Sequence, residues 1–204
     1  MTDDNNNDYE LINFLILGNF YVGKHSIIER FINNNFFKNN NSINITSFIS
    51  KKISINNRNF YLLFRISISS ERYIPLPRIS FRNVSIFILV FDITNENSFD
   101  DIKKFWFPQL KNAENNNFIL ALVGNKCDLS YKKIDDSEII NYAKSINAKY
   151  FKVSALTGEG IKELFEYLIK TFCELNDKKQ NENKNKIIKI EKKDMKEKKK
   201  KFCK

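Results

Sequence analysis

The sequence predicts an α/β fold with a mostly parallel sheet covered on both faces. Three observations carry that expectation. Apolar runs of strand length alternate with segments of helical periodicity along the 204 residues. The runs Val84-Ser-Ile-Phe-Ile-Leu-Val-Phe91 and Phe118-Ile-Leu-Ala-Leu-Val123 are nearly continuous rather than alternating, as strands buried on both faces are. The most informative polar motifs follow the ends of apolar runs, after Leu17, Val123 and Val153. Ligands of such sheets bind outside the carboxyl ends of the strands.

The first strand, Leu11 to Leu17, leads into Gly18-Asn-Phe-Tyr-Val-Gly23-Lys24-His25-Ser26. A helix follows from Lys24 to about Asn33, with Ile27, Ile28, Phe31 and Ile32 on its buried side. Asn33 to Ser47 is a polar loop. Phe48 to Ile55 and Phe60 to Ile68 read as strands joined by a hairpin through Asn56-Asn-Arg-Asn59. Pro75 and Pro77 keep any helix after them short or broken. Val84 to Phe91 is a buried strand ending at Asp92. A helix from Ser98 to Leu110 takes Ser98 as its N-cap. Then come a strand from Phe118 to Val123, a helix from Asp135 to Ile146, a short strand from Tyr150 to Val153 and an amphipathic helix from Gly160 to Leu175. Asparagine runs between these segments read as loop filler.

Net charge is +10, but it is not spread evenly. Residues 178–204 hold 13 Lys against four acids, a net of +9, which leaves +1 for everything before them. The basic character therefore belongs to a tail, and a nucleic-acid-binding body is not expected. No apolar run approaches the ~20 residues of a membrane span. The acidic, polar residues 1–8 are an N-terminal extension rather than a secretory signal. Cys127, Cys173 and Cys203 are widely spaced, which suggests a reducing compartment rather than a disulfide scaffold.

The first loop reads G-x-x-x-x-G-K. Gly18 and Gly23 let the backbone N–H groups turn inward, and the helix after them aims its positive end at the same point. Lys24 adds a cation for terminal phosphates. The bland alternative is a strand-to-helix turn with two convenient glycines. The next residue should carry a hydroxyl for Mg²⁺, and here it is His25. The second motif is Asn125-Lys126-Cys127-Asp128. A carboxylate at Asp128 can accept two hydrogen bonds from guanine, whose ring N–H and amine form a donor pair that adenine lacks. Lys126 can lay its stem along the base, Asn125 can tie this loop to the phosphate loop, and a backbone N–H near Ala155 can meet the guanine carbonyl. Alone, this motif could be a solvated turn. It gains weight about 100 residues after the first loop and ahead of Ser154-Ala155.

With these motifs the chain resembles the Ras superfamily of small GTPases, most closely the Rab branch, over residues 9–175. Phe91-Asp-Ile-Thr-Asn-Glu-Asn-Ser-Phe99 and Ser154-Ala-Leu-Thr-Gly-Glu-Gly-Ile-Lys-Glu-Leu-Phe165 are similar to family phrases. The resemblance implies a P-loop small-GTPase fold, with six strands and about five helices, over 9–176 and a hypervariable tail over 177–204. It implies GTP and GDP as ligands, effector and regulator proteins as partners, a role in vesicle traffic and a monomer. The nucleotide site it implies comprises Gly18, Asn19, Phe20, Tyr21, Val22, Gly23, Lys24, His25, Ser26, Phe36, Asn125, Lys126, Asp128, Ser154 and Ala155, with Phe36 against the guanine face.

The departures cluster at one end of that site. His25 replaces the hydroxyl ligand of Mg²⁺. Ile43 stands where the first switch loop offers a threonine, and Ile66-Ser-Ile-Ser69-Ser70 where the family has Asp-x-x-Gly-Gln. Phe20 and Tyr21 fill positions that are usually small. Phosphoryl transfer needs positioning and charge neutralisation, so hydrolysis near background is expected and Mg²⁺ binding is left open, with Ser26, Ser67 or Ser69 as substitute oxygens. A zinc or catalytic role for His25 lacks a partner. The rival reading is a nucleotide-free pseudo-GTPase serving as an interaction scaffold. An ATPase or kinase is disfavoured by Asp128. At the C-terminus, Lys198-Lys-Lys-Lys201-Phe-Cys203-Lys204 suits an anionic membrane. The resemblance makes Cys203 the prenylation candidate, although one residue follows it where C-a-a-X has three. A cytoplasmic protein, peripheral on a membrane's cytoplasmic face, is expected.

Overall fold

The computed structural model describes residues 9–36, 48–55, 57–67, 74–112, 118–131 and 133–179. The N-terminal extension, Ile43, Ile68, Ser69, Ser70 and the tail from residue 180, Cys203 included, lie outside the described residues. The chain divides into two compact units, Met1–Glu166 and Tyr167–Lys204. The sheet belongs to the first. Of the second, residues 167–179 are helical.

Six strands form one sheet: β1 (Glu10–Leu17), β2 (Phe48–Ile55), β3 (Arg58–Ile66), β4 (Ile86–Asp92), β5 (Ile119–Asn125) and β6 (Lys149–Lys152), in the order β2-β3-β1-β4-β5-β6. Only β2 and β3 pair antiparallel; the other pairs are parallel. Every residue of β4 and β5 is buried, as their continuous apolar runs require. The hairpin is tighter than expected: β3 starts at Arg58, and Asn57 takes a left-handed φ of 60°, a conformation Asn tolerates. The sheet is the expected small-GTPase arrangement. The described helical segments are those expected after β1, β4, β5 and β6, with a 3₁₀ turn (Arg78–Phe81) after Pro77.

Side chains alternate across β1. Leu15 and Leu17 join the core that holds Phe87, Leu89, Phe91, Phe99 and Trp106. Phe14 and Ile16 point the other way, where Phe14 meets Phe64 at 4.6 Å between ring centroids. Phe31 of α1 (Lys24–Asn33) stacks on Phe165 at 4.0 Å, and Phe165 meets Phe64 edge-on at 5.8 Å. Helix α1 ends where Asn34, at φ 49°, donates its N–H to Arg30 O, and Lys51 Nζ from β2 donates to the open carbonyls of Phe31 and Ile32 at 3.2 and 2.8 Å.

The helical segment after β4 corrects one expectation. Ser98 is not its N-cap. Helix α2 (Glu96–Asp101) starts after Asn95, and Ser98 is fully buried, its Oγ donating to Asn95 O at 2.6 Å and accepting the Asp92 N–H at 3.0 Å. The hydroxyl closes the end of β4 instead of opening a helix. The segment then widens into a π-helical turn, Ile102–Trp106, before α3 (Phe107–Gln109). Pro108 supplies the cause. Its ring would clash with the carbonyl four residues back in a regular helix, and a wider turn relieves that contact. Farther on, α4 (Asp136–Ser145) is capped by Asp135, which accepts the Ser137 N–H.

Phe64 sits at the centre of an aromatic group drawn from β1, β3, α1 and residue 165, and it is fully buried. Phe64→Ala is expected to cost about 3–5 kcal/mol in urea unfolding, with Phe64→Leu well below that. Equal, small losses for both would show that the group is not packed as described.

Candidate functional site

Strands β1, β4, β5 and β6 run parallel, so their carboxyl ends lie at one edge of the sheet. A cleft of about 620 Å³ opens there. It takes in every expected site residue except Gly18, Val22 and Ser154. Those three stand behind its wall, where a carbonyl or hydroxyl of each holds a lining residue.

The phosphate loop depends on its glycines. Gly18 has φ +146°, and a Cβ there would lie 2.1 Å from Val90 O on the adjacent strand. Gly23 has φ +93°, and its Cβ would lie 2.2 Å from Asn125 Nδ2. Neither position admits another residue without displacing backbone or the Asn125 amide. Lys24 opens α1 and folds back over the loop, donating to Gly18 O at 2.6 Å and Asn19 O at 2.7 Å. Burial pushes its pKa down from the ordinary 10.5 to about 8.

Asn125, 2% exposed, joins three loops. Its Nδ2 donates to Val22 O at 2.8 Å, and its Oδ1 accepts the Ala155 N–H at 3.1 Å. The Ala155 N–H is thus engaged by Asn125, not turned to the cleft. Asp128 is held by Ser154, whose hydroxyl donates to Oδ1 at 2.5 Å and accepts the Thr157 N–H at 3.1 Å. Lys126 has a left-handed φ of 68°, and its ammonium pairs with Asp92 Oδ2 at 2.6 Å. The head is anchored at the end of β4, so the stem is what Lys126 offers the cleft. Cys127 is a free thiol whose pKa burial pushes up to about 11, which leaves it unreactive.

Several contributors carry no sequence signal. Arg30 reaches from α1 to the base-side loop, donating to Ala155 O at 2.9 Å and Leu156 O at 2.5 Å. Leu129 and Leu156, both well exposed, line the same cleft as Phe36. Asn19, an expected site residue, has a second role that the sequence does not mark. In the fold its amide donates to Asp101 Oδ2 at 2.5 Å, and its carbonyl accepts the Trp106 indole N–H at 2.7 Å. The widened turn before Pro108 thereby grips the phosphate loop.

The opposite end of the cleft is different in kind. Its described side chains include His25, Ser26, Ile66 and Ser67. Mg²⁺ asks for six oxygens in near-octahedral order, usually with a carboxylate among them. No carboxylate lies in that set, and among the described residues no group of three or more His, Cys, Asp or Glu could hold a metal ion. The described side chains at this end, an imidazole and two hydroxyls with no carboxylate, do not make up the set that Mg²⁺ usually takes. Two of them hold orphaned atoms instead. His25 Nδ1 and Ser67 Oγ are buried and without hydrogen-bond partners. His25 Nε2 faces Glu29 Oε1 at 3.6 Å, and Ser67 is 5% exposed. Each orphan costs the empty fold about 1–3 kcal/mol.

A profile of the Ras family matches residues 13–174. The chain is 35% identical over 161 residues to Ras-related protein Rab-21 of Homo sapiens, covering 78% of this chain and 71% of that one. It is 34% identical over 178 residues to Ras-related protein Rab-31 of Homo sapiens, covering 87% and 90%. It is also 31% identical over 174 residues to the putative ras-related protein Rab-5B of Dictyostelium discoideum, covering 85% and 80%. No described helix is long and apolar enough to cross a membrane. With its sheet order, its phosphate-loop geometry and these relatives, the chain belongs to the Ras family, as a Rab-like small GTPase.

Proposed function

We propose that the protein binds guanine nucleotide in the cleft and serves vesicle traffic as a Rab-like protein with little or no hydrolysis of its own. One observation carries the reading: Asp128, held by Ser154, and Lys24, held over the phosphate loop, line a single cleft. The first can accept guanine's donor pair and the second can meet the phosphates. Asn125 keeps the two loops in register. Lys126 and Phe36 flank the base, and Gly23, His25 and Ser26 lie at the phosphate end.

No carboxylate or glutamine among the described lining residues at that end positions an attacking water, and Lys24 is the one lysine there to meet charge on a transferred phosphoryl group. Ile66 presents hydrocarbon where those tasks need oxygen. Phe20 and Tyr21, the latter 91% exposed, stand at the rim beside Lys24. The family role extends to effector and regulator proteins, to a monomeric state and to a Lys-rich tail lying on an anionic membrane, with Cys203 as its lipid-bearing residue. A basic run together with one lipid chain suffices for stable anchoring.

A second reading has its own support. Lys24 already satisfies its ammonium on two loop carbonyls. The loop is therefore self-sufficient when empty, as a nucleotide-free scaffold would need.

Calorimetric titration separates the two. GDP is expected to bind the native chain and ADP far more weakly, with Asp128→Ala losing roughly 10- to 100-fold in GDP affinity and leaving ADP unchanged. Equal binding of GDP and ADP would contradict the base assignment, and binding of neither would favour the scaffold. Lys24 adds a pH dependence. Its pKa of about 8 in the free protein means the ammonium is populated below that pH and lost above it. A bound anion holds the proton on and raises that pKa. Affinity is therefore expected to be level below about pH 8 and to fall as pH rises beyond it, with net proton uptake seen in the buffer dependence of the binding enthalpy. GTP turnover by the native chain should match that of Lys24→Ala; faster turnover that this substitution abolishes would overturn the account of a site without hydrolysis.

A further inference from the structure

Two polar atoms of the cleft wall are left over once every hydrogen bond above has been assigned. They are His25 Nδ1 and Ser67 Oγ. They come from different elements, the first turn of α1 and the residue after β3. The Ser67 N–H donates to Ile16 O at 2.9 Å, which fixes its backbone beside the end of β1. Both residues line the end of the cleft that also contains Lys24. Buried polar atoms are normally paired, and a few unpaired ones in a folded chain ask for a reason. Here both belong to residues that line one cleft with the buried Lys24.

We propose that His25 and Ser67 bind the nucleotide's phosphate oxygens directly and that the site works without a divalent metal. This rests on the guanine-nucleotide reading above. The imidazole can donate from Nδ1 while Nε2 faces Glu29, and the serine hydroxyl can donate from Oγ. Together with Lys24 and the loop amides they replace the metal's charge with proton donors. The exchange is consistent in sign: an imidazole nitrogen at His25 is a poor ligand for Mg²⁺, whereas its N–H and the Ser67 O–H can both be presented to an anion. Lys24 is the one described lysine at that end of the lining, since Lys126 is engaged by Asp92. A diphosphate, with less charge to neutralise than a triphosphate, is the better ligand. GDP is thus the preferred occupant, and the site retains it whether or not Mg²⁺ is present.

The test measures dissociation of a fluorescent GDP analogue from the full chain, in millimolar Mg²⁺ and in EDTA. The rates are expected to agree within about twofold, because no metal is lost. Ser67→Ala and His25→Leu are each expected to weaken GDP roughly 10- to 100-fold in either condition, as lost hydrogen bonds to a charged group do. His25→Gln, which keeps an N–H donor, should recover part of the loss. Ser67→Ala should also raise the Tm of the empty protein, since it deletes a buried orphan, so a loss of affinity there is not a loss of fold. EDTA accelerating release from the native chain by tenfold or more would overturn the proposal while leaving guanine binding intact. Unchanged affinity in both Ser67→Ala and His25→Leu would also overturn it. Failure of the native chain to bind GDP in either condition would overturn both this proposal and the reading it rests on.

Discussion

The site depends on one side chain that touches no solvent to speak of. The Asn125 amide donates to Val22 O in the phosphate loop and accepts from Ala155 N–H in the loop after β6. It also occupies the space that forces a glycine at position 23. The parallel strands bring three loops to one edge of the sheet, and this amide sets the distance between them. Remove it, and the carboxylate of Asp128 and the ammonium of Lys24 no longer share a fixed frame. Arg30 reinforces the same frame from α1, and the Asn19–Trp106 bond reinforces it from the segment after β4.

The two ends of the cleft have followed different physical paths. At the base end, each polar group has a partner that orients it: Ser154 for Asp128, Asp92 for Lys126, Asn125 for the loops. Such pre-orientation lowers what binding must spend on ordering side chains. At the phosphate end, two buried polar atoms, His25 Nδ1 and Ser67 Oγ, are without partners and hydrocarbon stands at Ile66. An enzyme that transfers phosphoryl groups would concentrate its oriented groups at that second end. That contrast is what supports the proposal of a cleft that holds nucleotide with little hydrolysis.

Much of this was legible in the sequence for a specific reason. Continuous apolar runs of strand length, bounded by turn residues, read as strands buried on both faces, as β4 and β5 are, and motif residues placed at strand ends fall at one edge of a parallel sheet by topology alone. Local hydrogen-bond logic was less safe. Ser98 has the chemistry of an N-cap, but its hydroxyl is drawn inward to the backbone of β4, and Asn95 begins the helix. The widened turn before Pro108 was hidden because periodicity cannot distinguish four residues from five. Arg30, Trp106 and the asparagine at position 19 act across more than eighty residues of chain, and no local pattern marks such a pairing. The orphaned state of His25 and Ser67 is likewise a property of three-dimensional packing, although the sequence did mark both positions as departures or substitutes.

In the proposed reading, a guanine-and-phosphate site persists in a chain where His25, Ile43 and Ile66 replace the family's metal-binding residues. The most direct measurement is the nucleotide carried by the full chain as purified, released by denaturation and resolved by ion-exchange chromatography beside Lys24→Ala. GDP at close to one per chain in the native protein, and none in the variant, is the result this account expects. A folded native protein that carries no nucleotide and takes up none when guanine nucleotides are added would contradict it.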